Sequence, residues 1–135
     1  MERCSLKNYQ PGKHIVGPLP DQKDLIGAIE AVCRHNLIDS ATFSVTGSVF
    51  SATIGVFDYK QAVYVTHLEK EATELLYCQG TVCMRYENPV VMANVILANQ
   101  QGRLTGGRLF SDTIIHDAQI ILQELVNASE ENHQK

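Results

Sequence analysis

The sequence predicts an α+β domain: a largely antiparallel, curved sheet of six or seven strands packed with one main helix. Three observations carry that expectation. Only about residues 22–35 place apolar side chains at helical spacing; almost everything downstream alternates with a period of two and is rich in β-branched residues; and the apolar runs are separated by short turn sequences of the kind that join antiparallel neighbours. One helix cannot cover a sheet of that size, so barrel-like curvature or a neighbouring subunit must close the remaining apolar face. Composition favours including the neighbour. Only 19% of residues are charged, against roughly 25% in a typical soluble domain.

Taken in order, the chain opens with a polar stretch in which Pro11-Gly12 and Gly17-Pro18-Leu19-Pro20 frame a short edge strand around His14-Ile15-Val16. Asp21 then stands where an N-cap belongs, and Leu25, Ile29, Val32 and Cys33 follow at i, i+4, i+7 and i+8, with Asn36 as the stop. Residues 41–47 and 51–58 read as two strands joined at a Gly47-Ser48 turn, and 62–68 as a third. The run 73–86 carries Leu76, Cys78, Val82 and Met84 on one parity and Leu75, Tyr77 and Cys83 on the other, as in a strand buried on both faces and bent at Gly80. Residues 90–98 are the most apolar strand, and Asn99-Gln100-Gln101-Gly102 is a hairpin turn into Arg103-Leu104. Over 112–126 strand and helix compete; the isoleucines favour strand, followed by a polar tail at 127–135. With 135 residues this is one domain over 1–135, its core at about 21–125.

Charge and composition exclude several classes. The net charge is −4 and no two Lys or Arg are adjacent, so no stripe that would track nucleic-acid phosphates is present. No segment approaches the roughly 18 apolar residues of a membrane span, and the start lacks a secretory core. A cytoplasmic protein is expected, with no membrane contact and with Cys4, Cys33, Cys78 and Cys83 reduced and mostly buried.

No catalytic set emerges. Ser48 is outside a G-x-S-x-G elbow, Gly12-Lys13 is not a P-loop, and the five histidines are isolated, although His67 and His116 lie in strand-like segments that could meet. Glu69, Glu71 and Glu74 read as a solvated strand junction. Arg103 and Arg108 flank Leu104-Thr105-Gly106-Gly107; arginines among glycines can cradle an anion, while the plainer reading makes Arg103 a hairpin cap. No cofactor and no AT-hook are expected.

Four segments resemble one known family, the plant- and prokaryote-conserved (PPC) domain. Asp21-x-x-Asp24-Leu25-Ile26-x-Ala28-Ile29 resembles its opening helix, and Phe43-Ser44-Val45-Thr46-Gly47-Ser48-Val49-x-x-Ala52-Thr53-Ile54-Gly55-x-Phe57-Asp58 its Gly-Ser strand pair. Glu74-Leu75-Leu76-Tyr77-Cys78-Gln79-Gly80-Thr81-Val82 is similar to its glutamate-led strand, and Val95-Ile96-Leu97-Ala98-x-x-x-Gly102-Arg103-Leu104-x-Gly106-Gly107-Arg108-Leu109 to its most specific signature. Gly80, Gly102, Gly106 and Gly107 are the signature glycines. The resemblance implies an α+β homotrimer whose subunits close one another's sheet faces. It also implies a DNA-binding label, which in plant members has an AT-hook behind it.

Many prokaryotic members carry a His-x-His pair before the hairpin and a third His after Gly-Gly, a set suited to zinc. Here the resemblance places Met92, Asn94 and Arg108 at those positions. A thioether, an amide and a guanidinium do not replace three imidazoles, so no metal is expected. The functional expectation is a homotrimeric, non-catalytic regulatory or assembly protein, DNA-associated by family label alone. The alternative is a small-anion-binding protein or enzyme that uses the Met92, Asn94 and Arg108 pocket.

Overall fold

Asp24, not Asp21, starts the helix. The computed structural model describes residues 6–128, within which α1 spans Leu25–His35. The Asp24 backbone is extended and its Oδ2 accepts a hydrogen bond from the Gly27 amide at 3.0 Å, which satisfies one orphan donor of the first turn. Asp21 lies instead in a turn, where Gln22 takes a φ of 60° and its amide donates to the Ile115 carbonyl. Asn36 ends the helix as expected, its amide donating to the Val32 carbonyl at 3.1 Å. Arg34 and His35 sit in the last turn, where cations suit the helix dipole.

Seven strands follow the period-two segments among the described residues: β1 (Tyr9–Leu19), β2 (Ser40–Asp58), β3 (Val63–Glu69), β4 (Thr73–Arg85), β5 (Asn88–Ala98), β6 (Leu104–Leu109) and β7 (Ile114–Asn127). They form one antiparallel sheet in the order β1-β7-β2-β4-β5-β6, with β3 paired to β2 and β6 returning to β2. The α+β expectation holds, and so does the curvature.

The region read as two strands is one. β2 runs unbroken through nineteen residues, and Gly47, at φ 137°, makes a bulge rather than a turn. A Cβ at Gly47 would collide with the Asp117 carbonyl oxygen, so the glycine serves the close approach of β7. Length lets β2 serve four neighbours. Its first half lies between β4 and β7, and residues 54–55 lie between β3 and β6. β6 and β7 follow one another along the same edge, joined where the Phe110 amide donates to the Thr53 carbonyl at 3.0 Å. The path β2-β4-β5-β6 therefore closes on β2 as a small ring.

Two further readings are corrected. β4 buries one face only: a register shift between Leu75 and Tyr77 puts Leu75, Cys78 and Val82 inside and Leu76, Tyr77 and Met84 outside. At Gly80 of β4 a Cβ would strike the Met92 carbonyl of β5. Residues 112–126 settle as strand, because β7 pairs with β1 on one edge and β2 on the other. Ile115, Ala118, Ile120 and Leu122 of β7 are buried, and Asn127, read as tail, still belongs to it. Ala128 of that tail is buried, while 129–135 lie outside the described residues, as does Cys4.

The core joins Leu25, Ala28, Ile29 and Cys33 of α1 to the inward residues of the sheet, among them Val45, Ile54, Val95, Leu97, Leu109 and Ile120. From Val91 to Leu97 the residues of β5 alternate strictly. Val91, Ala93, Val95 and Leu97 point in, and Met92, Asn94 and Ile96 point out.

Candidate functional site

Asn94 and Arg108 face each other across the β5–β6 ladder, which makes them direct cross-strand neighbours on the outward face. Their placement follows from the inward residues on either side: Val95 and Leu97 anchor β5 in the core and Leu109 anchors β6, which leaves the alternate positions turned outward. Gly106 and Gly107 keep β6 close to its neighbours. A Cβ on Gly107 would stand 2.5 Å from the Gly55 carbonyl oxygen, and one on Gly106 would stand 2.8 Å from that of Val95.

Tyr64 of β3 completes the arrangement. The Arg108 guanidinium carbon lies 5.1 Å from the Tyr64 ring centroid, and its Nη1 donates to the Tyr64 hydroxyl at 3.3 Å. Tyr64 is itself held edge-on between Phe57 at 5.3 Å and Phe110 at 5.6 Å. Among the described residues Arg108 has no acidic partner. No salt bridge joins Arg108 to the nearby Asp112, whose carbonyl accepts from the Thr53 hydroxyl at 3.3 Å.

Arg108, Asn94 and Tyr64 stand between two open clefts. The larger, about 490 Å³, is walled by Phe57, Tyr77 and Ile96 over a floor containing Gly55, Gly106 and Gly107. The smaller, about 380 Å³, runs past Gln79, Gly80, Thr81 and Met92. The structure thus brings Met92, Asn94 and Arg108 together around the smaller cleft, with Asn94 and Arg108 shared by both. Gly80 is at that cleft, Gly106 and Gly107 are at the larger one, and Gly102, at φ 80°, belongs to the β5–β6 hairpin. Arg103 lines neither cleft; its amide donates to Asn99 Oδ1 at 2.9 Å in the hairpin. Neither cleft contains an Asp, Glu or Lys.

Tyr64 and Phe57 are absent from the sequence reading of this site. The available signal was aromatic: Phe57 and Tyr64 are register partners in the β2–β3 hairpin. A second pairing was also missed. Ser48 Oγ and His116 Nδ1 are 2.8 Å apart, and Phe50 packs edge-on to the imidazole at 4.7 Å. No carboxylate orients the other ring nitrogen among the described residues, so the pair lacks the third member of a nucleophilic set. His67, paired with Ile54 in β3, does not join His116.

Residues 6–126 match the Plants and Prokaryotes Conserved (PCC) domain. The chain belongs to that family. Solved structures share its fold over about nine-tenths of the chain. A plant- and prokaryote-conserved (PPC) protein from Pyrococcus horikoshii is 27% identical over 90% of this chain and 85% of its own, with a TM-score of 0.85. A metal-containing protein from Archaeoglobus fulgidus is 29% identical over 92% of this chain and 87% of its own, at 0.86. A candidate DNA-binding protein from Bacteroides thetaiotaomicron, 18% identical over 90% of this chain and 85% of its own, shares the fold at 0.75. No curated protein sequence matches significantly.

The PCC domain's outward positions 92, 94 and 108 do not suit a metal. Met92 offers a soft thioether, Asn94 one amide oxygen and Arg108 a permanent cation that repels a divalent ion. Among the described residues no three His, Cys, Asp or Glu side chains gather elsewhere as ligands.

Proposed function

We propose that this PCC domain is a homotrimeric, non-catalytic module that acts by assembly, in a regulatory or scaffolding role. The observation that carries the reading is the β2–β3 hairpin, which is apolar on both faces at once. Val56 (52% exposed), Val63 (48%) and Val65 (43%) lie on one face, and Tyr64 (40%) and Leu68 (55%) on the other. The outer edge of β3 has no strand beside it among the described residues. A two-sided apolar hairpin with an open edge is a surface for association, because water solvates neither face well. The outward Leu76, Met92, Ile96 and Leu104 extend the apolar area across β4, β5 and β6. The trimeric state is the one that the family resemblance implies. Light scattering on purified protein tests it: three times 15.0 kDa is expected, and a stable monomer refutes it.

A second reading rests on Arg108, a cation without a carboxylate at a cleft without an acid. It makes the cleft around Met92, Asn94 and Arg108 a site for a small anion. DNA association enters from the names of neighbours such as the Bacteroides protein. The net charge of −4 and the scattered bases weigh against it. Binding to AT-rich and GC-rich duplexes that weakens steeply as salt rises is the result that supports a phosphate-contacting protein.

A further inference from the structure

We infer that the larger cleft selects an organic monocarboxylate with an apolar or aromatic body; this rests on the anion-site reading of Arg108 and names the ligand class. The first step is charge. Of the residues lining the two clefts, Arg108 alone carries a charge. One guanidinium balances one negative charge. A dianion would bring a second charge against walls made of Phe57, Tyr77 and Ile96, where nothing neutralises it.

The second step is donors. The guanidinium has five N–H donors in a planar fork, and the protein engages one of them, at the Tyr64 hydroxyl. Stacking on Tyr64 fixes the plane of the fork without consuming the remaining donors. The Asn94 side-chain amide, directly opposite on β5, has no partner among the described residues. Fork and amide together offer N–H groups to the two oxygens of one carboxylate. The Tyr77 hydroxyl is already committed, donating to Gln79 Oε1 at 2.9 Å, so it adds a ring wall rather than a further donor.

The third step is shape. Beyond the polar pair the cleft continues as aromatic and aliphatic wall over a floor of glycine backbone, with about 490 Å³ of room. That is within the roughly 300–1,000 Å³ of small-molecule sites. A hydrated inorganic anion gains nothing from those walls, whereas an aryl or branched alkyl group is desolvated against Phe57, Tyr77 and Ile96.

Benzoate is the probe, with benzamide as its neutral isostere and inorganic phosphate as the compact anion, each titrated calorimetrically into the full chain. Benzoate is expected to bind at least tenfold more tightly than either, and Arg108→Ala to weaken it about tenfold or more. Asn94→Ala should weaken benzoate by a smaller factor. Arg108→Lys, which keeps the charge and loses the fork, should fall between wild type and Arg108→Ala. Phosphate binding as tightly as benzoate, with both lost in Arg108→Ala, overturns the monocarboxylate class and leaves the anion site standing. Benzoate binding unchanged in both Arg108→Ala and Asn94→Ala, or no binding of any anion by wild type, overturns both. Light scattering on the same samples reports the oligomer separately, so failure of the assembly reading is not mistaken for either result.

Discussion

Replacing Asp24 with alanine should destabilise the fold by about 2–4 kcal/mol, which is a large share of the roughly 5–15 kcal/mol that holds a domain together. The carboxylate does two jobs. Oδ2 caps α1 at the Gly27 amide, 3.0 Å away, and Oδ1 accepts from the Thr113 amide at 3.1 Å. Losing an N-cap costs about 1 kcal/mol. The second loss is steeper, since Thr113 is fully buried and an amide stranded there costs about 1–3 kcal/mol. Thr113 is also the joint between β6 and β7: its hydroxyl donates to the Phe110 carbonyl at 3.0 Å and accepts from the Thr53 amide at 3.1 Å. The measurement is equilibrium urea unfolding at one protein concentration for all variants, which holds the mass-action contribution of any oligomer constant. Asp21→Ala is the control, exposed and outside the cap, and should shift stability by less than about 0.5 kcal/mol. Asp24→Asn, which keeps one acceptor oxygen, should fall between them. If Asp21→Ala costs as much as Asp24→Ala, the cap has been placed wrongly and the coupling of helix to sheet through Thr113 fails with it.

Four other outcomes follow from the same structure. Gly80→Ala should destabilise more than an alanine at the unhindered Gly17, read as a lower urea midpoint, because its Cβ meets the β5 backbone rather than a movable side chain. Burial pushes the Cys33 thiol up to about 11 and the Cys78 thiol up to about 12, from 9.0. The folded state therefore keeps these protons after the unfolded chain has lost them: the contribution is fully present below pH 9, falls as pH rises towards 11 and 12, and should shrink in Cys78→Ala. Native-state alkylation at pH 8 should accordingly reach the half-buried Cys83 before Cys33 or Cys78, as peptide mass mapping will show. Val65→Asp on the exposed hairpin should lower the mass seen by light scattering while leaving the circular dichroism unchanged; an unaltered mass would count against β3 as the association surface.

Where neighbours in sequence decided the outcome, the sequence was readable. Leu25, Ile29 and Cys33 define α1 by spacing alone, and the alternation of Val91, Ala93, Val95 and Leu97 tells which way Asn94 points. Long-range pairing was less visible. Gly47 looks like a turn because Gly-Ser commonly makes one, yet its conformation answers to the Asp117 carbonyl, seventy residues on. The parity of β4 misleads for a related reason, since one register shift at Leu75 moves Tyr77 to the outside. At the candidate site, family resemblance pointed to Met92, Asn94 and Arg108. Tyr64 could be added only when β2 had brought β3 and β6 to opposite edges of the same two residues, 54 and 55.

That last relationship also explains how one frame can carry different chemistry. The strands around the clefts are positioned by contacts on the inward face, where Ile54, Val95, Leu97 and Leu109 are fixed in the core, and by glycines whose missing Cβ atoms allow the backbones to meet. None of those contacts involves the outward side chains at 92, 94 or 108. A thioether, an amide and a guanidinium at those positions therefore leave the ladder intact, and on the proposed anion-site reading they give the surface a preference for negative charge. These side chains do place one demand on the fold. A guanidinium needs something to hold its plane, and the ring of Tyr64, steadied by Phe57 and Phe110, lies 5.1 Å from it. Function at this position is then a property of Arg108 and Tyr64 together, and removing the tyrosine ring should weaken anion binding even with the arginine still in place.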